Sequence, residues 1–154
     1  MSLLAPTLEA FFTQRLIGQR SASPHTIASY RDTFALLLAF AHKQTGKPPS
    51  RLQLEDLDAS LISAFLEDLE RQRHNSVRTR NTRLSAIHSM FRFAALRHPE
   101  NAALIARVLA IPPKRADRPL VTFLTDPEVD ALLAAPDRTC WLGRRDHALL
   151  FLAI

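Results

Sequence analysis

The sequence has only 3 glycines, 1 cysteine, 1 tyrosine and 1 tryptophan among 154 residues. So few glycines argue against a sheet-rich fold with many tight turns, and leave no glycine-rich phosphate loop. A single cysteine, Cys140, excludes an internal disulfide framework and fits a reducing compartment. No long hydrophobic run is present. The longest, Phe34 to Ala41, covers eight residues, against the roughly 18–20 that a membrane span needs. The N-terminal segment MSLLAPTLEAFFTQR lacks the basic start, apolar stretch and small-residue cleavage site of a signal peptide. The expectation is a soluble, cytoplasmic protein with no membrane partner. Catalytic patterns are missing as well. The 6 histidines (His25, His42, His74, His88, His98 and His147) show no metal-ligand spacing with one another or with Cys140. There is neither a Gly-x-Ser-x-Gly nor a P-loop. No metal, nucleotide or other cofactor is implied.

What is there is globular and basic: 47% hydrophobic residues, 23% charged and a formal net charge of +5. A basic balance suggests a polyanionic partner, nucleic acid first and a lipid surface second. Apolar periodicity then lays out helices. Leu8, Phe11, Phe12 and Leu16 define the first, with Thr7 as its expected N-cap. Ser23-Pro24 opens the second, whose stripe is Ile27, Tyr30, Phe34, Leu37, Leu38 and Ala41 and which stops at Gly46-Lys47-Pro48-Pro49. Asp58 caps a third with Leu61, Ile62, Phe65, Leu66 and Leu69 on one face. Asn75 or Ser76 caps a fourth with Val77, Leu84, Ile87 and Phe91. A short fifth helix runs from about Glu100 to Ala110.

Residues 111–119 differ in kind. With three prolines, three basic residues and no periodicity, they read as an exposed linker. The expected organisation is a helical domain over 1–110, a linker over 111–119 and the start of a second domain over 120–154. That last part contains a capping box, Thr125 to Glu128. It also contains a turn from Pro136 to Gly143 and a final helix under which Trp141 is expected to pack. This helix breaks off in mid-stripe, so the chain is expected to be the front part of a longer protein.

Charge is segregated along the chain. From Leu52 to Glu70 every charged residue is acidic; from Arg71 to Arg97 all seven are arginine (71, 73, 78, 80, 83, 92 and 97). Arginine suits bidentate contact with phosphates and base edges. At roughly 100° per residue, Arg78, Ser85 and Arg92 lie beside the apolar stripe of the fourth helix, with Thr82 and Ser89 beyond them. Small residues between arginines let a helix approach a groove. The alternative is a solvated face whose arginines pair with the acids of the third helix. Arg80 falls on the apolar side, free to reach around the helix end or to pair with such an acid. At the start of the second helix, His25, Thr26 and Ser29 form either a phosphate seat or ordinary capping. Lys114, Arg115 and Arg118 can track a phosphate backbone. His88 and Tyr30 read as packed residues.

Four pieces in order resemble the N-terminal part of a tyrosine recombinase of the phage integrase family. They are Ser23-x-x-Thr26-x-x-x-Tyr30-x-x-x-Phe34; Arg83-Leu84-Ser85-Ala86-Ile87-His88-x-x-Phe91; the basic linker followed by Leu124-Thr125-x-x-Glu128-Val129-x-x-Leu132-Leu133-x-Ala135-Pro136; and Gly143-Arg144-Arg145-Asp146-His147-Ala148-Leu149-Leu150. The resemblance implies an all-α architecture: a SAM-like, four- to five-helix core-binding bundle, then a basic linker and the first helices of a truncated catalytic domain. It implies double-stranded DNA as partner, integration or recombination of a mobile element as function, and a full-length protein that assembles as a tetramer on DNA. Carried over residue by residue, it makes His25, Thr26, Ser29, Arg78, Asn81, Arg83, Lys114, Arg115 and Arg118 contact candidates, beside Arg92 from the helical face. The family's catalytic arginine, lysine, His-x-x-Arg pair and tyrosine nucleophile match nothing in these residues. This chain alone is therefore not expected to cleave DNA. A non-catalytic helical DNA-binding regulator and a helical protein–protein adaptor are the competing readings.

Overall fold

A computed structural model describes residues 3–116 and 123–153. Among the described residues the regular structure is helical, with one isolated antiparallel bridge, Leu3 to Gln53. The α-helices are α1 (Leu4–Ala10), α2 (Pro24–Thr45), α3 (Ala59–Arg71), α4 (Val77–Ala95), α5 (Ala102–Leu109), α6 (Asp126–Ala134) and α7 (Trp141–Ala153). Two compact units result, Met1–Ala116 and Asp117–Ile154. Among the described residues no helix is long and apolar enough to cross a membrane.

Local chemistry sets the helix ends in the first unit. The Ser23, Asp58 and Ser76 side chains accept from the backbone N–H three residues on, capping α2, α3 and α4. Between Asn75 and Ser76, it is Ser76 that caps. Helix α2 ends on Gly46 at φ 71°, the left-handed conformation that glycine adopts without steric cost.

The first helix departs from expectation. It begins at Leu4, so Thr7 is not its cap but a buried residue one turn inside. From Phe11 to Gln19 it continues as a π-helix. The two residues of that stretch that reach the core, Phe11 and Leu16, are five apart, which fits the wider i→i+5 turn better than an α-turn. Phe11 sits at the centre of an aromatic cluster. Its ring centroid lies 5.6 Å from Phe12, 6.2 Å from Tyr30, 6.1 Å from Phe34 and 5.8 Å from Phe93. Such edge-on and offset pairs add to the burial term. The core then runs through Leu37, Ile62, Phe65, Leu66, Leu69, Leu84, Ile87, Phe91, Ile105 and Val108. Leu52, Leu54 and Leu57 are fully buried between α2 and α3. Helix α4 is the hub, touching α2, α3 and α5.

In the second unit the predicted capping box forms, with the Thr125 N–H and hydroxyl both donating to Glu128 Oε2 at 2.8 Å. Two expectations fail here. Helix α7 starts at Trp141, so Gly143 lies in its first turn and not in the preceding loop. Trp141 is two-thirds exposed and stacks with Arg145, whose guanidinium carbon is 5.7 Å from the ring centroid. Gly143 is buried against the backbone of Asp137. Leu142, Leu149, Phe151 and Leu152 are exposed.

Candidate nucleic-acid interface

Helix α4 buries Leu84, Ile87, Met90, Phe91 and Ala94, which leaves Arg78, Thr82, Ser85 and Arg92 exposed and Ser89 half-buried. At roughly 100° per residue these five fall within about 80° of one another. The small, polar, arginine-bearing face expected from the sequence is therefore present. The acids of α3 do not neutralise it. Glu67 pairs with Arg71 of its own helix at 3.7 Å, and Glu70 holds Lys114 at 2.6 Å. Asp56 is occupied by Lys47, also at 2.6 Å. Burial opposes the charge on Asp56, but hydrogen bonds from Lys47 and the Gln53 N–H outweigh it and lower its pKa.

The seven arginines do not all share that face. Arg80 is 6% exposed, and its Nη1 donates to Asn81 Oδ1 at 3.0 Å and to the Pro112 carbonyl at 3.3 Å. Of the two expectations for it, pairing with an acid of α3 is not seen among the described residues; its guanidinium reaches to the segment after α5. Arg97 stacks 4.7 Å above the Phe93 ring and donates to Gln14. Arg71 ends α3, and Arg73 follows it in the turn. Arg78 and Arg92 remain on the face; Arg83, about 140° from Arg78 at roughly 100° per residue, lies off it and is half-buried.

At the amino end of α2, Ser23 Oγ accepts from the Thr26 N–H at 3.2 Å and lies 3.0 Å from Thr26 Oγ1. Capping thus accounts for Ser23 and Thr26. His25 and Ser29 are exposed. Ser29, Arg78 and Arg83 converge on one cleft of about 430 Å³ between α2 and α4, whose other lining residues are Asp32, Thr33, Thr79 and Thr82. His25, Thr26 and Arg92 are not among them. Thr33 and Thr82 turn their hydroxyls onto carbonyls of their own helices. The buried Nε and Nη1 of Arg83 have no hydrogen-bond partner among the described residues. Asp32 is the one carboxylate lining the cleft. Sequence reasoning passed over it, although its position three residues after Ser29 placed it on the same exposed face.

The basic segment after α5 lies against the start of α4. The Asn81 side-chain amide donates to the Lys114 carbonyl at 2.7 Å, and its oxygen accepts from the Lys114 N–H at 3.0 Å. Arg115 is exposed; Arg118 lies outside the described residues. His88 Nε2 donates to the Val108 carbonyl at 3.1 Å, and desolvation holds its pKa below the usual imidazole value. Packing is therefore its role, as expected.

One arrangement was not legible in the sequence. His98 Nδ1 donates to Glu100 Oε1 at 3.1 Å while its Nε2 lies 2.9 Å from Thr7 Oγ1. The order hydroxyl, imidazole, carboxylate is that of a nucleophilic relay. Thr7 is only 4% exposed, however, so the hydroxyl is closed to a substrate and the relay ties α1 to the end of α4. Among the described residues no cluster of metal-ligating side chains occurs.

An all-helical bundle presenting an unneutralised arginine face defines a class of helical domain suited to a polyanion. The family assignment is narrower. The family model described as phage integrase, N-terminal SAM-like domain, matches residues 10–98, more than half of the chain, and the chain belongs to this family. It is 66% identical over 151 residues to an integrase/recombinase of Sinorhizobium fredii, covering 98% of this chain and 46% of that protein. A second Sinorhizobium fredii integrase/recombinase is 49% identical over 152 residues, covering 98% and 54%. The tyrosine recombinase XerC of Rhodospirillum centenum is 36% identical over 141 residues, covering 87% and 39%. The chain spans about half the length of these relatives. No solved structure matches it.

Proposed function

We propose that this chain is the duplex-DNA-binding part of a site-specific tyrosine recombinase, the class of its relatives. Residues 1–110 act as the core-binding domain, 111–119 as the linker and 120–154 as the beginning of the catalytic domain. Arg78 and Arg92 meet phosphates. Arg83 and Ser29 receive the strand in the cleft. His25 and Thr26 flank it at the helix end, and Lys114, Arg115 and Arg118 follow the backbone beyond. The 154 residues contribute binding. Strand cleavage and rejoining belong to a parent protein that carries the tyrosine and its arginines and works as a tetramer on DNA in the cytoplasm.

The observation that carries this reading is the α4 face. It bears arginines spaced by small polar residues, none within ion-pair reach of a carboxylate among the described residues. Helix α4 carries no acidic residue of its own, and Asp32 of α2 is the one carboxylate that lines the cleft beside it. Electrophoretic retardation of a random-sequence duplex tests it. Binding stronger than about 100 µM at low salt is expected, since non-specific Kd values are typically 10⁻⁴–10⁻⁶ M. Arg78→Ala and Arg92→Ala should each flatten the salt dependence by roughly 0.9 in log–log slope. No retardation, or slopes unchanged in both variants, overturns the assignment.

A further inference from the structure

The Asn81 side chain has little hydrogen-bonding capacity left for a ligand. Its oxygen accepts from both Arg80 Nη1 and the Lys114 N–H, and its amide donates to the Lys114 carbonyl. A side-chain amide offers two lone pairs and two N–H groups, so both lone pairs and one donor are in use. The two bonds to Lys114 join residues 33 apart in sequence and imitate the pairing of two strands, with Asn81 standing in for a backbone.

Two further ties act on the same short stretch. Arg80, itself buried, donates to the Pro112 carbonyl at 3.3 Å. Glu70 of α3 holds the Lys114 ammonium at 2.6 Å. Ile111 packs against the core and its N–H donates to the Val108 carbonyl at 3.2 Å, but residues 112–116 have no regular secondary structure and are exposed. Beyond Ile111 the path is set from outside, by Arg80 on Pro112 and by Asn81 and Glu70 on Lys114. Asn81 lies within about 60° of Arg78 around α4, at roughly 100° per residue. The clamp therefore runs the basic segment along the edge of the arginine face.

We propose that Asn81 is a positioning residue: it grips the Lys114 backbone, fixes the direction in which the chain leaves the first unit, and serves duplex binding by holding the basic segment beside α4 rather than by touching DNA. An unclamped segment would have to be ordered on binding, at an entropic cost for every residue immobilised. Clamping it beforehand removes that cost. For its binding arm the proposal rests on the DNA-binding reading above; the clamp itself does not.

The experiment uses the full chain, wild type and Asn81→Ala, with two readouts. The first is amide hydrogen exchange by NMR without DNA. The Lys114 N–H should exchange about tenfold faster in the variant, the factor that loss of one ordinary hydrogen bond represents. The amides of Ile87 and Phe91 should stay protected and so report an intact α4. Glu70→Gln, which leaves α4 untouched, should loosen the segment in the same direction by a smaller factor. The second is fluorescence anisotropy with a labelled random-sequence duplex. Its Kd should rise roughly three- to tenfold in Asn81→Ala with an unchanged salt slope, because no phosphate contact is lost.

Equal Lys114 exchange in both proteins overturns the clamp. Weaker binding with unchanged exchange overturns it too, because Asn81 would then touch the DNA directly. Faster exchange with unchanged Kd removes the positioning role. If the wild-type chain fails to bind any duplex, the DNA reading falls, while the exchange arm still decides whether the clamp exists.

Discussion

Arg83 gives the sharpest test of how this surface is built. Two of its guanidinium nitrogens are buried without a partner among the described residues, in a cleft shared with Ser29, Arg78 and Asp32. A buried donor left unsatisfied costs about 1–3 kcal/mol. Part of that cost is relieved because the side chain as a whole is only half-buried. Arg83→Met keeps the length of the stem and removes the donors. The first unit should then gain about 1–2 kcal/mol of unfolding free energy. That corresponds to an upward shift of roughly 4–10 °C in its Tm. The same variant should lose duplex binding. A charge-assisted hydrogen bond contributes about 1.5–3 kcal/mol, so Kd should rise roughly ten- to a hundredfold and the salt slope should flatten by about 0.9. The assays are urea unfolding followed by far-UV circular dichroism and anisotropy with a labelled duplex between about 50 and 200 mM salt. Trp141, the sole tryptophan, reports the second unit separately. A loss of stability in Arg83→Met would show that these nitrogens are satisfied in solution and that their burial carries no such cost. Higher stability with unchanged binding would leave Arg83 a packing residue.

Other expected outcomes follow from individual contacts. Asp32→Asn removes the carboxylate from the cleft and should tighten non-specific duplex binding roughly two- to fivefold at low salt, an effect that added salt erases; weaker binding would mean that Asp32 itself accepts a hydrogen bond from the ligand. His88 has a folded-state pKa below its unfolded value, so the unfolded chain binds the proton more readily. Its contribution is complete above about pH 6.5 and is lost as pH falls through the lower folded pKa. Thermal unfolding should show this loss, and His88→Gln should flatten it while keeping a donor for the Val108 carbonyl; identical profiles would remove His88 from the account. Gly143→Ala would place a Cβ 1.8 Å from the Asp137 carbonyl oxygen, so the second unit should lose about 1–3 kcal/mol by Trp141 fluorescence with the first unit unchanged. No change there would show that the turn at Asp137 does not meet α7 in solution.

Much of this molecule was legible in the sequence because the deciding interactions are short-range. Ser23, Asp58, Ser76 and Thr125 cap their helices within three residues of themselves, and glycine at 46 ends α2 by its own backbone freedom. The stripe from Leu84 to Phe91 followed from helical period, and so did the exposed face from Arg78 to Arg92. The failures have equally local explanations. Thr7 carries the chemistry of a cap, but α1 starts a turn earlier, where the Leu4 N–H donates to the Leu52 carbonyl at 2.9 Å. The spacing of Leu8, Phe11, Phe12 and Leu16 reads as α-helical, yet an aromatic cluster assembled from α2 and α4 accompanies a π-helical turn that no period count reveals.

Sequence alone determined which residue types lie on which side of each helix, because a helix of known period sorts its side chains without help from the rest of the chain. It could not determine what each polar side chain would meet there. Tertiary structure turned Arg80 inward, gave Lys114 and not an α4 arginine to Glu70, joined Asn81 to a backbone 33 residues away and left Arg83 with unused donors. Those outcomes depend on which segments the packed core brings side by side, and a buried or half-buried polar group takes whichever partner that packing places within hydrogen-bond distance.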